Sequence, residues 1–367
     1  MSAPSSSSAR SVDLRFVAVL VAAGGLLIWF LSGLHWSEVA RVLREASWGW
    51  VALAALLLFV EYPIRAWRWT FLVVDVDPDV RMRDVLSATQ IGAAFNTFLP
   101  LRGGDLVRIA VLARRRRMSF TTALSTTLVE RLLDALGLVG AIVFLLWMLP
   151  DTVGGKPMLG DYRQEAAAAG AGAMVLLSLG VLAGSHGADR VVERVARLLP
   201  TPVGRRVVVE FRALAAGLAA MSNPIRLIPA AFATVLVWLA GWAALVCAFK
   251  GFHLEIPAIA GFFVNTAIIM AVAVPQAPGF VGLFQVVLAQ TLGLWGADVG
   301  VTEAMALVMW GLYFGPITIV GTIDALREGH GLLSFREHLF EDFGGKEAVK
   351  AAEEDLAARA AREALEE

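Results

Sequence analysis

Residues 95–134 read FNTFLPLRGGDLVRIAVLARRRRMSFTTALSTTLVERLLD, and this stretch constrains the chain more than any other. Its first part is apolar yet holds Asn96, Pro100, Arg102, Gly103, Gly104, Asp105 and Arg108. Its last part is an apolar run of membrane length that carries Glu130, Arg131 and Asp134. Proline and paired glycines interrupt a helix, and an ionised group in hydrocarbon is costly unless it is paired or wetted. A chain that puts both features at membrane depth builds a polar site there. This stretch is the expected functional centre.

The rest of the chain supplies the membrane. Of its 367 residues 58% are hydrophobic, against roughly 45–50% in a soluble domain, and they fall in long runs. A polytopic all-α membrane protein follows. The net charge of -1 is uninformative, because sign is sorted by position along the chain, and no nucleic-acid partner is expected. Cys247 is the single cysteine, which excludes an intramolecular disulfide and a cysteine metal cluster. No cofactor or metal is expected.

Residues 1–15 form a disordered N-terminal tail ahead of a membrane domain at 16–330. The run at 16–34 is too long, and too poor in a cleavage site, for a signal peptide, so it is a span. A second span covers 48–74 and ends in EYPIRAWRW. The apolar segment 85–99 has only 15 residues, and 106–113 is shorter still, at 1.5 Å of rise per residue. Arg81 and Arg83 precede this pair and Arg114, Arg115, Arg116 and Arg117 follow it. Both ends are therefore expected in the cytoplasm, which makes the pair a re-entrant hairpin with LPLRGGD at its tip. Spans at 120–149 and 166–183 follow, then arginine-rich cytoplasmic interfacial helices at about 186–226. A further span at 227–249 leads to apolar segments 257–274 and 280–294, parted by PQAPG. Their flanks are poor in arginine, so this second hairpin is expected to enter from outside. The last span is 301–323, and 331–367 is a charged cytoplasmic tail.

About six transmembrane helices and two opposed re-entrant hairpins result, arranged as an inverted-topology repeat. One half is about 48–149 and the other about 227–323. Pro100 with Gly104 corresponds to Pro278 with Gly282, four apart in both, and Gly279 sits in the second break. Broken helices at matching positions of inverted halves point to a transport site near the midplane.

Arg102 and Arg108 flank a fresh helix start, where free backbone N–H groups and guanidinium forks suit a phosphate. Asn96 and Arg131 complete the expected headgroup set. The plainer alternative makes Asp105 an N-cap paired to one of these arginines. Glu130 and Asp134 share a helix face, either as charge partners of the arginines or as proton carriers. Glu61, Arg65 and Arg68 are spaced i, i+4 and i+7 toward the cytoplasmic end of their span. They read as a snorkelling, topology-setting cluster or as a headgroup vestibule. Asn265, Gln276, Gln285 and Gln290 can satisfy the backbone of the uncharged second hairpin. HExxH, GxSxG and P-loop motifs are all absent from the sequence, and no nucleophile–base pair can be named, so an enzyme is not expected.

The elements NTFLPLRGGDLVR and ALSTTLVERLLD resemble the lysylphosphatidylglycerol synthase transmembrane-region family, also called flippase-like domain proteins. Asn96, Pro100, Arg102, Gly104, Asp105, Arg108, Glu130, Arg131 and Asp134 carry the likeness. The later PGFVGLFQ matches more loosely, with Gln285 where the family has Glu. The resemblance implies a membrane domain that moves or binds a lipid with a polar headgroup. Some forty residues follow Ile323, too few for the family's soluble synthase domain, so synthase activity is not expected. The reading is a flippase-like transporter of an anionic phospholipid or lipid-linked intermediate, in a bacterial or archaeal inner membrane with both termini cytoplasmic. A transferase acting on a polyprenyl or glycolipid substrate and a lipid-binding accessory protein are the rivals. A homo-oligomer or a partner synthase is compatible with each.

Overall fold

The computed structural model describes residues 32–99, 102–150, 224–273 and 278–328, together with 152–153, 156–157, 168 and 172. The helices are α1 (Trp36–Glu45), α2 (Trp48–Val73), α3 (Met82–Phe98), α4 (Gly104–Arg116) and α5 (Phe120–Met148). After the two-residue ladder β1 (Thr152–Val153) and β2 (Lys156–Pro157) come α6 (Pro224–Gly251), α7 (Ala258–Ala273), α8 (Leu283–Leu294) and α9 (Val299–Arg327). A 3₁₀ turn, Pro278–Phe280, joins α7 to α8.

Four described helices, α2, α5, α6 and α9, are long and apolar enough to cross a membrane. The expected spans at 166–183 and over most of 16–34 lie outside the described residues, as do the interfacial helices before 224 and the tail after 328. Helix α6 turns Ile225, Ile228, Phe232, Val235 and Leu239 outward at helical spacing, an apolar stripe suited only to lipid or to another protein surface. The protein is a multi-pass membrane protein.

Helices α2 and α6 lie antiparallel along their length. At one end the Ser47 N–H donates to the Gly251 carbonyl at 2.8 Å, and at the other Arg226 pairs with Asp75 at 3.3 Å. The seam is built from Ala54, Ala66, Ala230, Ala233, Ala244 and Ala248, all fully buried. Lipid tails are as apolar as leucine, so association rests on close backbone approach, and alanines permit it.

Helices α3 and α4 fold back on each other, and their open end is clasped. Arg116 bonds Asp77 at 2.5 Å and Asp84 at 3.5 Å, while Arg115 reaches Asp84 and Glu328 at the end of α9. The Arg116 guanidinium holds the Asp77 carboxyl below the usual carboxylate range. That contribution is present in full above about pH 4 and is lost as pH falls through the lowered folded value. Helices α7 and α8 form a second hairpin that opens at the opposite end of the molecule. There Trp242 donates to the Ala258 carbonyl at 2.8 Å, Phe263 meets Trp295, and α1 reaches Glu303 through His35. The closed ends meet inside, with α3 packed on the 278–280 turn. Trp310 of α9 donates to the Gly279 carbonyl at 2.8 Å, and Thr97 pairs with Thr318 at 3.0 Å.

The first break differs from expectation in its detail. Gly103 is right-handed and Gly104 opens α4; the left-handed residue is Arg102, at φ 57°. Glycine is needed at 104 for proximity instead, because a Cβ there would collide with the Gly92 carbonyl and the Asn96 nitrogen. Those are backbone atoms and cannot rotate away. Gly104→Ala is therefore expected to cost about 1–3 kcal/mol. Its melting temperature in detergent should fall, while that of Gly311→Ala, with open space around its Cβ position, should hold. In the second break the left-handed residues are Gly279, Phe280 and Gly282. Pro100 lies outside the described residues.

Candidate functional site

Two carboxylates on one face of α5 organise the interior. Glu130, 1% exposed, receives Arg68 at 2.6 Å and Arg108 at 2.8 Å. Asp134, one turn on, receives Arg68 at 2.5 Å and Arg131 at 3.4 Å. Arg68 also donates to the Thr234 hydroxyl at 3.1 Å, so one guanidinium ties α2 to α5 and α6. Arg108 lies over the Trp69 ring at 4.7 Å, and the Trp69 N–H donates to Thr126 at 2.9 Å. Each ion in this low-dielectric interior has a counter-ion on a different helix, which is what permits burial.

Asp105 is ringed by cations at long range and takes one hydrogen bond. Arg102, Arg108 and Arg131 stand 3.9, 3.7 and 3.9 Å away, and the Asn96 amide donates to it at 3.3 Å. It makes no N-cap: Gly103 occupies that position, without a side-chain bond. Arg102 is the least engaged cation of the cluster, its one ion contact being Asp105 at 3.9 Å. Arg131 is one-third exposed. The structure thus brings Asn96, Arg102, Asp105, Arg108, Glu130, Arg131 and Asp134 into one cluster.

The Glu61, Arg65, Arg68 stripe is not at a helix end. Only 13 residues of α2 precede Glu61, about 20 Å of helix, which leaves the stripe inside the span. Arg68, expected to snorkel, is instead wholly buried and is the central cation of the network. Arg65 pairs with Glu61 at 3.1 Å and is 30% exposed. It lies within electrostatic reach of both Asp134 and Arg102, so the stripe joins the cluster. Sequence spacing showed that these three share a face, but Trp69 and Thr234 carried no signal of their roles. Gln285 does satisfy backbone at the second break, its side-chain oxygen accepting from the Gly282 N–H at 2.8 Å. Gln276 lies outside the described residues.

Among the described residues the cluster holds five arginines, at 65, 68, 102, 108 and 131, against four carboxylates, at 61, 105, 130 and 134. It carries one unmatched positive charge. Among the described residues no group of His, Cys, Asp and Glu is arranged to hold a metal ion.

A bundle of apolar helices closed around an ion network, with two broken hairpins meeting beside it, defines a polytopic membrane protein with a charged interior. The chain belongs to the lysylphosphatidylglycerol synthase transmembrane-region family, which matches residues 15–321. It is 27% identical over 286 residues to glycosyltransferase AglD of Haloferax volcanii, a match that covers 78% of this chain and 40% of that protein. It is also 30% identical over 99 residues to a UPF0104 membrane protein of Methanothermobacter thermautotrophicus, covering 26% of this chain and 29% of that one. The chain therefore spans less than half the length of these curated relatives. No solved structure matches it.

Proposed function

We propose that this protein moves an anionic phospholipid or lipid-linked intermediate between leaflets, with its phosphate held at Arg102. The carrying observation is the surplus cation: five arginines face four carboxylates, and Arg102 is the one whose contacts are all long. An incoming phosphate neutralises that charge and takes up the free guanidinium N–H groups. Arg108, by contrast, is committed to Glu130, and its share in the headgroup set is to hold Asp105 and Glu130 in place.

The packing order supports an inverted repeat. Exchange of α2, α3, α4 and α5 for α6, α7, α8 and α9 carries the neighbour pairs α3·α4, α4·α5, α3·α9, α2·α3 and α2·α9 onto α7·α8, α8·α9, α7·α5, α6·α7 and α6·α5, all of which are in contact. With two hairpins opening at opposite ends, movement of either one exposes the shared interior to one side. The arginine-rich clasp is assigned to the cytoplasm of a bacterial or archaeal inner membrane, and the termini with it. Membrane-impermeant thiol labelling of intact cells should then reach Asp298→Cys and miss Arg115→Cys; labelling of Arg115→Cys would reverse this orientation.

Similarity to a protein named as a glycosyltransferase keeps a transferase reading in view. The deciding experiment reconstitutes the purified protein in liposomes with fluorescent phosphatidylglycerol and follows quenching by dithionite. Outer-leaflet arrival without any added donor supports a transporter. Static lipid, together with donor-dependent conversion of a polyprenyl phosphate or a glycolipid, would replace it with an enzyme.

A further inference from the structure

At the Glu61 end of the cluster, groups from three helices come to one point. A Cβ placed on Gly241 of α6 would stand 3.1 Å from Glu61 Oε1, 2.8 Å from Asn265 Oδ1 and 3.2 Å from Asn265 Nδ2. The carboxylate and the amide are thus no more than about 6 Å apart, yet no hydrogen bond joins them. Asn265, on α7, is 3% exposed and its Nδ2 has no partner. Glu61 uses Oε2 for Arg65 and leaves Oε1 uncommitted. The buried Tyr313 hydroxyl, within electrostatic reach of Glu61, is also unpartnered, and its ring meets Phe284 at 5.3 Å. A buried amide donor left unbonded in a protein interior is unfavourable unless a ligand group answers it.

We infer that Glu61 and Asn265 form a subsite for a hydroxyl of a sugar-type headgroup, with Gly241 placing no Cβ between them. The inference rests on the phosphate reading above and narrows its substrate. A hydroxyl is the group that answers both partners, because it donates to Glu61 Oε1 and accepts from Asn265 Nδ2. A phosphate would be repelled by Glu61, and an ammonium cannot accept from an amide. Arg65 spans the interval, bonded to Glu61 and within electrostatic reach of Arg102, so phosphate and hydroxyl would sit one side chain apart.

The test measures thermal stabilisation of the full chain in detergent by dioctanoyl phosphatidylinositol, dioctanoyl phosphatidic acid and free myo-inositol. The inositol lipid is expected to bind about tenfold tighter than phosphatidic acid, the worth of one or two net hydrogen bonds. Asn265→Ala and Gly241→Ala should each bring it down to the phosphatidic acid level. Asn265→Ala should keep the melting temperature of the ligand-free wild type, since Asn265 Nδ2 bonds nothing there. Arg102→Ala should weaken both lipids alike. Equal binding of the two lipids by the wild type would overturn the hydroxyl subsite and leave the phosphate site standing. Stabilisation by free myo-inositol as strong as by its lipid would overturn the headgroup assignment. A lower melting temperature for Asn265→Ala would make the residue scaffold, and no binding of either lipid would sink both readings.

Discussion

Arg68→Ala is expected to destabilise the protein by about 3–5 kcal/mol, the largest single effect in the molecule. The side chain is wholly buried and bonds Glu130, Asp134 and Thr234, so its loss strands two carboxylates in the interior and unties α2 from α5 and α6. Arg131 offers Asp134 a second partner and Arg108 holds Glu130, yet these two cations must then serve three carboxylates, Asp105, Glu130 and Asp134. Arg68→Lys keeps the charge but cannot reach both carboxylates with a planar fork, so it should recover only part. The measurements are yield and melting temperature in detergent. The double variant Arg68→Met/Asp134→Asn should regain part of the loss, because it removes one stranded carboxylate while Glu130 keeps Arg108. An Arg68→Ala protein as stable as wild type would mean that water reaches this network freely, and the buried-network description would fall.

How much of this was legible in the sequence depends on the range of the interaction. Charges in apolar runs mark a polar interior by cost alone, and Asp105, Arg108, Glu130, Arg131 and Asp134, which the structure brings together, were picked out that way. The two pairs of short helices were legible from segment length and from the breaks between them. Arg68 was seen as one member of a helical stripe and given a place at the membrane surface. Its partners Glu130 and Thr234 lie 62 and 166 residues away, and no local pattern encodes that pairing. Trp69 is buried as the platform for Arg108, and no local pattern marks it for that place. The paired glycines signalled a break correctly and its mechanism incorrectly, because close approach of Gly104 to Gly92 is a tertiary fact.

Arg102→Ala should separate transport from stability. Its loss removes contacts of 3.9 Å to Asp105, which keeps Arg108, Arg131 and Asn96 around it, so the melting temperature should stay near the wild-type value. The same change also removes the surplus cation, leaving four arginines against four carboxylates. A lipid phosphate then meets no net attraction, and movement of labelled anionic lipid should fall at least about tenfold, the worth of one charge-assisted hydrogen bond. Arg102→Lys restores the charge without the bidentate fork and should recover part of the rate. Because all three side chains carry a Cβ, each meets the left-handed backbone at 102 alike, and differences among them report the head group. Arg108→Ala is the contrasting variant: with its side chain 5% exposed and 2.8 Å from Glu130, it should lose stability and transport together. If Arg102→Ala instead lowers stability, and Arg102→Ala/Glu130→Gln restores both folding and lipid movement, then Arg102 is a structural counter-ion and the phosphate is held elsewhere.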